Sequence, residues 1–178
     1  MDEGSGIDEG LRAELLARRA EDQRIRAGVG QGVRLSPEQA EEWRRIDEAN
    51  TMWLNDLVDQ RGWPGISLVG EDGANAAWLF AQHADRHPDL QRKFLDLLRD
   101  AVAAGEAAAR HQAYLEDRVR IAQGRPQLYG TQFTRVVSQA RYEPLPIEDP
   151  EHVDERRAAV GLGPLAEYAA RFNSRQPG

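Results

Sequence analysis

The stretch SPEQAEEWRRIDEANTMWLNDLVDQRGWPG, residues 36–65, carries the signals that decide the fold. Ser36 can cap a helix, Pro37 suits its first turn, and Gln39 completes a capping box. Trp43, Ile46, Leu54 and Leu57 then recur at helical spacing until Gly62-Trp63-Pro64-Gly65 stops the run. Upstream, Leu11 to about Arg26 contains no glycine or proline and predicts another helix, followed by the connector Gly28-Val29-Gly30-Gln31-Gly32. These glycines follow a helix rather than a strand and lack dinucleotide-loop spacing, so a plain linker is expected.

Downstream, a helix start near Glu71-Asp72-Gly73-Ala74 leads into Ala76-Ala77-Trp78-Leu79-Phe80-Ala81-Gln82-His83. Pro88 ends that helix and opens the next, Leu90 to about Ala104, which Gly105 stops. A further helix is expected from about Ala107 to Gln123, ending at Gly124. Beyond it, Pro126 to Phe133 and Val136-Val137 to Leu145 mix β-branched and aromatic residues with turn formers, which predicts one hairpin or extended pair. Asp149-Pro150 starts a short helix over Val153 to Val160, and Pro164 to about Phe172 forms the last. The expectation is a mainly α, single-domain bundle of six or seven helices with a small hairpin or extended segment near 126–146. Residues 1–10 are expected to be disordered, 11–172 to form the domain, and 173–178 to fray.

Composition narrows the function classes. With 23 basic and 30 acidic residues among 178, the net charge is −7, which argues against nucleic acid as a partner unless the arginines cluster. Lys93 is the only lysine; this and the abundant alanine suggest a GC-rich bacterial genome. The absence of cysteine removes disulfides, thiolate metal sites and thiol nucleophiles. No apolar run approaches the roughly 20 residues that cross a bilayer. The opening MDEGSGIDEG has no apolar core and does not read as a secretory signal, so cytoplasmic residence is expected.

Four helices place polar groups on their apolar faces. Asp22 and Arg26 fall on the stripe of Leu11 and Leu15; Asn50 lies at the centre, and Asp47 near the edge, of the stripe of Trp43 and Ile46. His83 continues the face of Leu79 and Phe80, while His111 and Arg118 interrupt that of Tyr114, Leu115 and Val119. Burying an unpaired charge costs several kcal/mol, so these groups must pair or face a wet pocket. Asp22 and Arg26 can bridge locally, and Asp47 or Asp22 could supply an acid for Arg118. A structural reading stands beside the functional one: an arginine can snorkel, and a buried aspartate–arginine pair can simply fix helix register.

His83 and His87 are four apart, a spacing that can offer two metal ligands from one helix face. His87 directly precedes Pro88, which disfavours helical geometry there, and no glutamate separates the pair in zinc-hydrolase fashion. No metal and no cofactor is therefore expected. Asp85 is about 200° around the helix from His83, so a carboxylate for that imidazole must come from elsewhere: Asp22, Asp47 or Asp117. The alternative is a core histidine bonded to a backbone carbonyl. Alternation along 127–132 would set Gln127, Tyr129 and Thr131 on one face, with Leu128 and Gln132 near the other, unless Gly130 bulges the strand. His152, near a helix start, reads as solvated.

Together these segments resemble a bacterial family known as domain of unknown function 6624. The resemblance rests on Asp22-Gln23 with Arg26, Asp47, Asn50, Gly62-Trp63-Pro64, Val69-Gly70, Gln82-His83-Ala84-Asp85 and Asp117-Arg118. It continues through Gln127, Tyr129-Gly130-Thr131-Gln132, Val153-Asp154 and Arg156-Arg157, spanning Leu11 to Phe172. It implies a pattern that includes the inward polar positions, but no activity; His87 and His111 lie outside it.

The leading expectation is a metal-independent acid–base enzyme acting on a small molecule or peptide. His83 would exchange the proton, Asp22 or Asp47 would orient it, and Arg118 or Arg26 would hold an anionic group. Asn50, Gln82, Asp117, Gln127, Tyr129, Thr131 and Gln132 complete the candidate binding set. A non-catalytic interaction module is the alternative, and a nuclease-like toxin the third reading. The sequence sets neither substrate nor oligomeric state.

Overall fold

The computed structural model describes residues 6–27, 35–139 and 141–174. Among these are seven α-helices and one two-stranded sheet, so the mainly α class with a late hairpin stands. The connector at 28–32, most of the N-terminal segment expected to be disordered (1–5) and the tail at 175–178 lie outside the described residues. The chain divides into two compact units, Met1–Ala108 and Ala109–Gly178. No helix among the described residues is long and apolar enough to cross a membrane.

The first unit holds α1 (Glu9–Ala27), α2 (Pro37–Arg61), α3 (Ile66–Gln82) and α4 (Pro88–Ala103). Helix α3 packs against α1, α2 and α4. That role follows from its composition: Val69, Ala74, Ala76, Ala77, Phe80 and Ala81 are buried, and small alanines let neighbouring helices approach closely. Leu15 and Ile25 of α1, Ile46, Leu54 and Val58 of α2, and Phe94, Leu95 and Leu98 of α4 fill the remaining core.

Local chemistry sets the helix ends. The Asp8 carboxylate accepts from the Leu11 amide at 2.9 Å, so α1 begins at Glu9, two residues ahead of the expected start. The capping box of α2 forms: Ser36 Oγ accepts from Gln39 N, and Gln39 Oε1 accepts from Ser36 N. Gly62, at φ +75°, ends that helix. The expected start of α3 near Glu71 captures only its second part. Helix begins at Ile66, breaks at Gly70 (φ +73°, ψ 168°), and resumes. A positive φ of that kind is readily reached only by glycine.

The second unit runs α5 (Ala109–Ala122), β1 (Phe133–Val136), β2 (Arg141–Pro144), α6 (Val153–Ala159) and α7 (Leu165–Ser174). The strands pair antiparallel, Phe133 opposite Pro144 and Val136 opposite Arg141. Helix α7 packs on β2, and Phe172 stacks on Phe133 with centroids 4.4 Å apart, while Tyr168 meets both rings edge-on. The stretch 127–132 is a loop rather than the alternating strand expected, because Gly130 takes φ +66° and Gln127 makes only an isolated parallel bridge to Ile147.

Candidate functional site

In the first unit the inward polar residues of three helices meet. Asp22, near the end of α1, is 2% exposed, and its carboxylate is surrounded by donors. Arg26 Nε lies 3.1 and 3.2 Å from its two oxygens, Gln23 Nε2 donates to Oδ2 at 2.7 Å, and His83 Nδ1 lies 3.0 Å from Oδ1. The guanidinium of Arg26 also donates to Asp47 Oδ1 on α2 at 2.5 Å, and it lies over the Trp43 ring, 4.3 Å from the centroid. Asp47 Oδ1 is in turn 4.0 Å from His83 Nδ1. Four groups from three elements thus share one locus, which is half-buried at Arg26, Asp47 and His83.

His83 caps the C-terminus of α3, its own amide bonded to Leu79 O and Phe80 O. The turn is fixed from α4: Gln91, buried on the stripe of Phe94, Leu95 and Leu98, donates to Gln82 O at 3.2 Å and to Asp85 Oδ1 at 2.9 Å. Gln91 is the positioning residue that the sequence reading missed. Its signal was available, a lone amide on a strongly apolar face, and the rule applied to four other helices would have found it.

The electrostatics separate the two carboxylates. Burial pushes Asp22 up, but the His83 hydrogen bond and charge, with Arg26 and Gln23, outweigh it and hold Asp22 below the ordinary aspartate value. For Asp47 burial prevails over Arg26 and His83, and the Asp22 charge adds to it, so its carboxyl lies above the ordinary value. An ionised Asp22 makes Nδ1 of His83 the donor and leaves Nε2 to accept or release a proton.

The same atoms bear on metal binding. Single donor atoms of Asp22, Asp47 and His83 lie within 4.8 Å of one another, close enough for three ligands of one cation. Arg26 already places a positive charge between the two carboxylates, so a divalent ion would have to displace it. His87 takes no part; as N-cap of α4 it bonds Glu48 at 2.6 Å.

Asn50 and Gln82 are buried beside this cluster in sequence, one turn past Asp47 and one residue before His83. Asn50 Nδ2 is buried with no hydrogen-bond partner among the described residues. The crevice bounded by Asp22, Ile25, Arg26, Trp43, Ile46 and Asp47 encloses only about 120 Å³.

The other expected site residues belong to the second unit and build a different object. Asp117, fully buried on α5, accepts from the amides of Leu128, Tyr129 and Thr131 and from the Thr131 hydroxyl, between 2.7 and 3.3 Å. Gln127 donates to Gln132 O and Leu145 O and accepts from Gln132 N; the Gln132 amide donates to Thr131 Oγ1. Arg157 Nη1 donates to Tyr129 O, and Arg156 Nε to Leu128 O. Asp117, Gln127 and Thr131 spend their polar atoms on shaping the loop. Arg118 lies beside Asp117 on α5. In the first unit, Asp22 and Asp47 are both paired by Arg26.

The chain matches the model of the family of unknown function DUF6624 over residues 9–175, and it belongs to that family. No curated protein and no solved structure matches it.

Proposed function

We propose that this DUF6624 protein is a bacterial cytoplasmic enzyme that uses His83 for acid–base chemistry on a small molecule or peptide. One observation carries the reading: the imidazole Nδ1 is 3.0 Å from a carboxylate that is itself buried and held ionised. Such a pair orients the ring, selects the tautomer and stabilises the imidazolium formed when Nε2 takes a proton. Asp22 is the orienting group. Arg26 and Asp47 set the local charge, and Gln91 positions the turn that carries the ring. The reading rests on first-unit residues alone.

A positioned acid–base group contributes about 10²–10⁴-fold to a rate. Turnover in a panel of hydrolysable and isomerisable small molecules and peptides should fall by about that factor in His83→Ala, with the melting temperature little changed. A variant that chiefly loses melting temperature, with no His83-dependent turnover, would make the residue structural.

A non-catalytic module is the second reading, favoured by the tightness of the crevice and by the way Arg26 ties α1 to α2 through Asp22 and Asp47. In that case Asp22→Asn would weaken partner binding or stability and leave no chemistry to lose.

A further inference from the structure

We infer that the open cleft next to this cluster takes the oxyanionic group, carboxylate or phosphoryl, of the substrate; the inference rests on the acid–base reading of His83. The cleft offers about 600 Å³ and is lined by Glu41, Arg44, Arg45 and Glu48 of α2 and by Arg86 and His87 after α3. Its charged groups do not all cancel. Arg44 is held by Glu41, and His87 by Glu48. Arg45 and Arg86 remain, with no hydrogen bond or ion pair to any described residue. Arg45 acts on Glu21 only through space, and Glu21 is already bonded by Arg24 at 2.9 Å.

Two uncommitted guanidiniums lining one cleft offer charge-assisted donors to the paired oxygens of a carboxylate or phosphoryl group. Glu41 and Glu48 keep the local field modest, and the whole chain carries −7, so the cleft fits a small mono- or dianion rather than a long polyanion. Its lining neighbours the proposed chemistry along the chain. Arg44 precedes Asp47 by one turn of α2, Glu48 follows Asp47 directly, and His87 is four residues beyond His83. The tight crevice over Asp22 and Asp47 could not hold a substrate, whereas this cleft has the volume of an ordinary ligand pocket.

The test is an NMR titration of the full chain with inorganic phosphate and, separately, with acetate, at ionic strength fixed by chloride. The Nε–H signals of Arg45 and Arg86 should shift saturably with at least one of the two probes, and the tighter one identifies the substrate group as phosphoryl or carboxylate. Arg45→Gln combined with Arg86→Gln should weaken that binding about tenfold, two charge-assisted contacts being lost at an exposed surface. Arg92→Gln, on a surface arginine outside the cleft, should change nothing. Linear shifts, or equal affinity in the double variant, would overturn the inference. His83→Asn separates the two readings: anion binding kept without any His83-dependent turnover counts against the acid–base role alone. Turnover that depends on His83 with no anion binding counts against the cleft alone.

Discussion

A histidine among buried neighbours is best judged by what surrounds it, and His83 and His111 differ in this. His83 faces two carboxylates. His111, on the apolar face of α5, is pushed down to about 4 by burial and then by the charge of Arg110. Its folded value lies below the ordinary 6.5, so the unfolded chain binds a proton that the folded chain refuses. Its contribution is therefore present above about pH 6.5 and is lost as the pH falls toward about 4, amounting to about 3 kcal/mol over that window. Urea unfolding at several pH values should show this loss in the wild type and a flatter dependence in His111→Gln. Equal slopes in the two proteins would show that His111 binds its proton alike in the folded and unfolded chain. The sequence exposed both residues as polar intrusions on apolar stripes. It offered Asp22, Asp47 and Asp117 as carboxylates for His83 but could not choose among them, because they come from helices distant in the chain.

At the scale of elements, the helices were legible wherever capping chemistry is local. Ser36 with Gln39, Pro88, and the glycines at 62, 105 and 124 mark ends by their own conformational preferences, without tertiary help. Two elements were not legible for the same reason reversed. Ile66–Val69 becomes helical because Gly65 opens onto the Glu106 carboxylate, which accepts from the Ser67 amide at 2.8 Å, a partner 39 positions away. The 127–132 segment alternates like a strand in composition, yet it wraps a carboxylate supplied by α5. That arrangement carries its own expectation. Asp117→Ala would strand three amides, that of Thr131 buried, and a hydroxyl, and should cost about 3 kcal/mol, read as a lowered urea midpoint. A loss below about 1 kcal/mol would mean that water replaces the carboxylate easily.

At the scale of the whole chain, charge is the most decisive property. With 30 acidic and 23 basic side chains, the net charge predicts repulsion of duplex nucleic acid unless the arginines cluster on one face. Many of its arginines are moreover engaged at short range: Arg12 with Asp72, Arg26 with Asp22 and Asp47, Arg157 with backbone carbonyls. Fluorescence anisotropy with a labelled duplex should show no saturable binding at physiological salt. Tight binding that collapses as salt rises would revive the nuclease reading. Gln91 secures a turn from outside it. A single neutral amide on one helix secures the last turn of another, so its loss would loosen the imidazole's mounting while sparing every residue near the proton. A screen for conditional, heat-sensitive alleles of the gene would do well to begin at that codon.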